Sequence, residues 1–164
     1  MHIHDRILFL KYALPCAGTL VKRGNVTQAH IDKLISLVAK GIEPEQGAES
    51  IFVVANAVCA DLAEKMGKDS IESAVIRQYF LRNHSEVVED RYKLMRDFDP
   101  IACNTYAGTV MALAEGKAMI KTRLGSNAYR TDFTPDIGIG NAVIVHWDFV
   151  VERLPEGFAD MLTH

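Results

Sequence analysis

The sequence predicts an α+β protein, with an N-terminal helical bundle followed by a small OB-like β-barrel and a short C-terminal helix. Up to about Phe98 the apolar residues recur every three or four positions, which is the period of an α-helix. After Pro100 the period falls to two, and turn-forming residues recur about every ten positions, as in small barrels. We therefore expect a helical domain over residues 1–99 and a barrel domain over residues 100–164.

The first helix is expected near the N-terminus. The apolar run from Arg6 to Cys16 superficially resembles a secretory or lipoprotein signal. However, Lys11 interrupts the run, and Pro15 is an unusual neighbour for a processed cysteine. We interpret the segment as a helix of the mature fold.

Two longer helices should follow. Thr27 is a good N-cap and Gly41 a good stop for a helix with one apolar stripe, formed by Ile31, Leu34, Ile35 and Val38. Residues 47–66 are apolar around much of the helical circumference, which predicts a helix at the centre of the bundle that ends at Gly67.

Two further helices are predicted before the pattern changes. Asp69 with Glu72 three residues later is similar to a capping box, and it predicts a helix through about Asn83. Ser85 is expected to cap another helix through about Met95. Asp99 and Pro100 then end the helical part.

The pattern of residues 100–164 predicts short strands. Turns are expected at Glu115-Gly116, at Gly125-Ser126-Asn127 and over residues 135–140. The predicted strands cover residues 105–113, 117–124, 128–134 and 141–151. A last short helix is expected after Pro155.

Composition narrows the class of protein. The chain has 164 residues, of which 49% are hydrophobic and 24% charged, as in an ordinary globular protein, and no apolar run is long enough to cross a bilayer. A net charge of −3 argues against nucleic acid as the main partner. Three widely spaced cysteines favour a reduced, cytoplasmic protein over a disulfide framework.

Two residues could carry chemistry in the barrel. Cys103 lies just before the first strand, where it is either a small core residue or a nucleophilic, metal-binding thiolate. His146 interrupts an apolar strand, where it is either a hydrogen-bonded core residue or a ligand and proton carrier within the barrel. Cys16, Trp147 and Asp148 are accessory candidates, Cys16 as a second thiol and the other two as neighbours of His146.

The second part also resembles a known family. Cys103 is followed by Ala107-Gly108 and by Val110, and a hairpin follows over residues 115–118. Near the end come Gly140, Val143, Ile144, Val145, His146, Phe149, Leu154 and Glu156. This order resembles the small assembly chaperones of nickel-iron hydrogenases, the HypC and HupF family, over residues 103–162. The whole chain looks like a prokaryotic family that fuses a helical unit to such a barrel.

The chain departs from the family pattern at several positions. The family's cysteine becomes the first residue once methionine is removed, whereas Cys103 is internal. The family usually has proline where this chain has Ala107, and glycine where it has Asp148. Asn141 and Ala142 stand where the family has an acidic and an aromatic residue.

The resemblance implies a non-enzymatic accessory protein of hydrogenase maturation. In that family the cysteine and the histidine are associated with carrying an iron-dicyano-carbonyl fragment transiently and with docking to a hydrogenase subunit or maturation factor. These roles would fall on Cys103 and His146. Two alternatives remain open, a thiol enzyme with Cys103 as nucleophile and His146 as base, and a plain protein-interaction domain.

Overall fold

The computed structural model describes residues 1–92 and 99–156. The chain has an α+β fold, as predicted, and it divides into two units, Met1–Val87 and Val88–His164. The predicted domain boundary between residues 99 and 100 stays a prediction. The end of the helix expected through Met95 and the short helix expected after Pro155 lie outside the described residues.

Helices dominate the first unit. They are α1 (Arg6–Ala13), α2 (Ala17–Lys22), α3 (Gln28–Ala39), α4 (Val53–Lys65), α5 (Ser73–Gln78) and the start of α6 (His84–Tyr92), which continues past Val87 into the second unit. Two 3₁₀ turns (Leu14–Cys16 and Ala48–Ile51) precede α2 and α4, and a π-helical turn (Tyr79–Asn83) joins α5 to α6. A short strand, β1 (His2–Ile3), pairs in parallel with β2 (Ser70–Ile71). Within the described residues, no helix combines the length and the apolar character that a bilayer span requires.

Helix α1 forms where the sequence predicts it. The Asp5 side chain caps its first turn by accepting a hydrogen bond of 3.0 Å from the backbone N–H of Leu8. Phe9 is fully buried, and its ring makes edge contacts with Phe52 and Phe80, with centroids 6.5 and 6.2 Å apart. Burial of this aromatic cluster therefore anchors the N-terminal segment in the core of the first unit.

The prediction for α3 is confirmed, but that for α4 is wrong in part. The Thr27 side chain caps α3 by accepting the backbone N–H of His30. By contrast, α4 begins only at Val53, which is 70% exposed, and it buries a narrow stripe, Ala55, Cys59 and Ala63. Small residues on one face allow close packing there, so the larger apolar side chains on the other faces do not mark the core.

The two predicted starts of the next helices are also wrong. Ser70 and Ile71 pair with β1, so α5 begins at Ser73 and no side chain caps it. Ser85 lies inside α6, because the π-helical turn carries the backbone from α5 into α6 without a break. The pairing of a short strand with a distant segment leaves little trace in the sequence. The same is true of a local change from α-helical to π-helical period.

The second unit contains a closed five-stranded barrel. Its strands are β3 (Thr105–Ala114), β4 (Lys117–Thr122), β5 (Gly125–Arg130), β6 (Ala142–His146) and β7 (Phe149–Arg153), and they close in the order β3-β4-β5-β7-β6. Neighbours pair antiparallel except β5 and β7, which are parallel. The barrel core consists of Val110, Ala118, Ile120, Ile137, Val143, Val145 and Val150.

Two strand predictions need correction. The Gly125-Ser126-Asn127 segment belongs to β5 rather than to a turn, because it pairs with Thr122, Lys121 and Ile120. The single strand expected over residues 141–151 is a hairpin of β6 and β7. Trp147 makes this hairpin turn with a positive φ of 51°, a conformation that the sequence does not suggest for a tryptophan.

Strand alternation determines which way the β6 side chains point. Val143 and Val145 belong to the barrel core, so Ile144 and His146 lie on the outer face of the strand. Thr105, which pairs with His146, shares that outer face. The expectation of an imidazole within the barrel is therefore wrong, and His146 is carried on the outside.

Candidate functional site

Cys103 lies in a tight turn that leads into β3. Asp99 organises this turn, because its Oδ1 accepts hydrogen bonds from the backbone N–H groups of Ile101 (2.9 Å) and Ala102 (3.3 Å). The backbone N–H of Cys103 donates to the carbonyl oxygen of Asp99 at 3.2 Å. The Tyr106 hydroxyl donates to the Ile101 carbonyl at 2.8 Å, which ties the turn to the start of the barrel.

The imidazole of His146 is held by the backbone of the same turn. Its Nε2 lies 2.8 Å from the carbonyl oxygen of Cys103, and the His146 side chain is fully buried. Because a carbonyl oxygen only accepts, Nε2 carries the proton of this hydrogen bond. In the neutral ring Nδ1 then holds the lone pair, so Nδ1 is the nitrogen that can ligate a metal or accept a proton.

The structure brings the two predicted residues together. The Cys103 Sγ lies within 4.8 Å of a ring nitrogen of His146, and Cys103 is 3% exposed. A tetrahedral ion with ordinary metal–sulfur and metal–nitrogen bonds would place these atoms about 3.6 Å apart. A thiolate with an imidazole suits zinc, iron and other borderline-soft transition metals.

Two buried polar atoms adjoin the pair in sequence. Within residues 1–92 and 99–156, neither the Asn104 Oδ1 nor the Trp147 Nε1 has a hydrogen-bond partner. Asn104 follows Cys103, and Trp147 follows His146 at the hairpin turn. A buried donor and a buried acceptor are costly without partners, so each of these two atoms favours a polar group bound to it.

Asp148 takes no part in orienting the imidazole. Its side chain is exposed, and its backbone carbonyl accepts the N–H of Arg130 at 2.7 Å. The position that an orienting acid would occupy, at Nε2 of His146, is taken by the carbonyl of Cys103.

Cys16 has a histidine partner within the first unit that sequence reasoning missed. The Cys16 Sγ lies within 4.8 Å of a ring nitrogen of His84, at the start of α6. The sequence places His84 at a helix junction and suggests no function for it. The π-helical turn that positions this ring cannot be read from residue types alone.

Cys59 differs from the other two cysteines. It is fully buried on α4, and burial raises the pKa of its thiol to about 12. At neutral pH it is therefore an inert core residue. None of the three cysteines forms a disulfide.

Comparison with known proteins adds no assignment. No protein-family model matches the chain, and no curated protein matches its sequence. The resemblance to the HypC and HupF family therefore rests on the residue pattern from Cys103 to Glu156 and stays a hypothesis.

Proposed function

We propose that this chain is a non-enzymatic, chaperone-like accessory protein of nickel-iron hydrogenase maturation. In this proposal Cys103 and His146 hold an iron-dicyano-carbonyl fragment transiently and pass it on. The fragment is cargo for this protein. Its partner is a hydrogenase subunit or another maturation factor, and the work is done in the cytoplasm.

One observation carries the proposal. The Cys103 sulfur lies within 4.8 Å of an imidazole nitrogen of His146, while Nε2 of that ring is bonded to the carbonyl of Cys103 itself. Metal-ligating histidines commonly donate their second N–H to a backbone carbonyl or a carboxylate, which fixes the ring for ligation. This arrangement supports a role of the pair as metal ligands.

The chemistry of the pair suits a transient carrier. A soft thiolate binds a low-spin iron fragment well, and an imidazole adds a second, exchangeable ligand. Two protein ligands leave the other positions on iron to cyanide and carbon monoxide. The Trp147 indole N–H, which has no hydrogen-bond partner within the described chain, is a donor of the kind that a bound cyanide nitrogen would accept.

The finer architecture belongs to the same proposal. We regard the closed barrel as OB-like, within a domain of residues 100–164. Residues 1–99 then form a helical bundle that adds a docking surface for the partner protein.

Infrared spectroscopy tests the proposal. The protein is purified without oxygen from a host that is making active hydrogenase, alongside Cys103→Ala and the matched control Cys59→Ala. We expect cyanide and carbon monoxide stretching bands in the unaltered protein and in Cys59→Ala, and their loss in Cys103→Ala. Absence of the bands from every preparation of the unaltered protein would overturn the proposal.

A thiol enzyme is the second candidate, and the same proximity of Cys103 and His146 favours it. In that case Nδ1 of His146 would deprotonate the thiol, and alkylation of Cys103 would be faster than that of Cys59 and would slow in His146→Ala. Equal alkylation rates at both cysteines would exclude an activated thiolate. If neither metal binding nor thiol reactivity responds to these substitutions, a plain interaction domain remains.

A further inference from the structure

The first unit carries a cysteine–histidine pair of its own. The Sγ of Cys16 and a ring nitrogen of His84 lie within 4.8 Å of each other, and the two residues are far apart in sequence. Cys16 is half-buried, and His84 is 6% exposed.

Packing of aromatic rings one helical turn earlier explains the pairing. Tyr12 on α1 stacks on Phe80 of the π-helical turn, with ring centroids 5.1 Å apart. Cys16 follows Tyr12 by four residues, and His84 follows Phe80 by four residues. The ring centroids of Phe80 and His84 lie 5.3 Å apart, so the stacked rings lie beside the imidazole that pairs with the Cys16 sulfur.

A second partner orients the imidazole. The Tyr79 hydroxyl lies 3.1 Å from Nδ1 of His84, and the two rings meet edge to face with centroids 5.3 Å apart. The π-helical turn produces this contact, because it places residue i+5 above residue i. The Tyr79 hydroxyl can donate or accept, and in the tautomer in which Nδ1–H donates to it, Nε2 is the nitrogen that carries the lone pair.

We infer that Cys16 and His84 are ligands for a borderline-soft divalent transition ion such as Zn²⁺ or Co²⁺. Cys16 supplies a thiolate, and His84 supplies Nε2 while Tyr79 holds its ring. Thiolate and imidazole together are the donor set of many zinc sites, and a hydrogen-bonded second shell is usual for the histidine. This assignment concerns Cys16 and His84, whereas the proposed function rests on Cys103 and His146.

Cobalt titration tests the assignment, because thiolate-to-Co²⁺ charge transfer gives a near-ultraviolet absorption that grows with the number of bound thiolates. The full-length protein is titrated anaerobically with Co²⁺ alone. We expect Cys16→Ala and Cys16→Ser to lose part of this absorption, and His84→Gln to weaken binding. We expect Tyr79→Phe to bind about 10- to 100-fold more weakly, the usual cost of removing such a partner.

Matched controls separate ligation from folding. Cys59→Ala removes a sulfur from α4, and His4→Gln removes an exposed histidine, so both should titrate like the unaltered protein. Circular dichroism identifies any variant that fails to fold, and the serine variant of Cys16 preserves side-chain volume. Titrations of Cys16→Ser and His84→Gln that match the unaltered protein would overturn the assignment. The proposed function is read out by the cyanide and carbon monoxide infrared bands and their loss in Cys103→Ala, so the two ideas can fail separately.

Discussion

Nε2 of His146 lies 2.8 Å from the carbonyl oxygen of Cys103, across 43 residues of sequence. This hydrogen bond joins the outer face of β6 to the turn that precedes β3. It also sets the tautomer of the imidazole, so that Nδ1 is the atom able to ligate. The place of the His146 ring beside Cys103 and the tautomer of that ring thus depend on the same hydrogen bond.

Substitution of His146 separates its two roles. His146→Ala leaves the buried Cys103 carbonyl without its donor and should lower the free energy of unfolding by about 1–3 kcal/mol. In His146→Gln the side-chain amide can still donate, so most of that stability should return while metal ligation is lost. Urea unfolding in the presence of a chelator measures the first effect. Equal stabilities of the two variants would show that the hydrogen bond contributes little.

Gly108→Ala should destabilise the barrel. A Cβ at Gly108 would lie 2.5 Å from the Ile120 Cγ2 and 2.9 Å from the Lys121 carbonyl oxygen, both on β4. Because the backbone oxygen cannot easily move, we expect a loss of about 1–3 kcal/mol in the free energy of unfolding.

Gly18 supplies the matched control for this substitution. It lies in α2, and a Cβ added there would have no heavy atom within 4 Å apart from its chain neighbours and the backbone of its own helix, so Gly18→Ala should be neutral or stabilising by about 0.5–1 kcal/mol. Thermal unfolding of the two variants makes the comparison. A Gly108→Ala variant as stable as Gly18→Ala would mean that β3 and β4 can separate at Gly108 without cost.

Arg6→Lys should destabilise the first unit although it keeps the charge. Nε and Nη2 of Arg6 both donate to Oε2 of Glu49, at 3.1 and 2.9 Å, and Nη2 also donates to the Glu45 carbonyl at 2.7 Å. The hydrogen bond with Glu49 raises the pKa of Arg6. A lysine ammonium cannot reproduce the hydrogen bonds that the planar guanidinium donates to Glu49 and Glu45. We therefore expect a loss of about 1–3 kcal/mol in the free energy of unfolding.

An exposed ion pair provides the comparison for Arg6. The side chains of Lys65 and Asp61 are 68% and 57% exposed, so Lys65→Gln should change the free energy of unfolding by less than about 0.5 kcal/mol. Chemical denaturation of both variants tests the difference. A loss in Arg6→Lys no larger than in Lys65→Gln would contradict a stabilising role for the network around Arg6.

Cys59 should make the fold sensitive to alkaline pH. Burial raises its pKa from 9.0 to about 12, so between these values the unfolded chain loses the thiol proton while the folded chain keeps it. The unfolded state then binds fewer protons, and the free energy of unfolding falls as pH rises through this window. Cys59→Ala should show a shallower decline than the unaltered protein in urea titrations above pH 9. Parallel declines would mean that the thiol ionises equally in both states.

Much of the fold can be predicted from the spacing of apolar residues along the sequence. The helix with Thr27 as its cap and the change to strands after Pro100 are both predicted, because a cap and a change of period are local signals. The start of α5 at Ser73 and the hairpin turn at Trp147 are not predicted from the sequence. Each depends on pairing with a distant segment, which residue types in one stretch do not encode.

The candidate site was predictable in residue type but not in geometry. Cys103 and His146 stand out in the sequence as a thiol before a strand and a polar ring within one. The contact from Nε2 to the Cys103 carbonyl depends on a turn built by Asp99. His84 has no sequence signal of its own, because its position beside Cys16 depends on stacking of Tyr12 on Phe80 and on a π-helical turn.

X-ray absorption at the iron edge tests the central claim most directly, because it identifies the atoms bound to iron. The protein is purified without oxygen from a hydrogenase-making host, with Cys103→Ala and His146→Gln prepared in parallel. We predict one sulfur and one imidazole neighbour beside short iron–carbon distances, with the sulfur lost in Cys103→Ala and the imidazole lost in His146→Gln. Iron with no sulfur neighbour, or with the same neighbours in all three proteins, would contradict the claim that Cys103 and His146 hold the fragment.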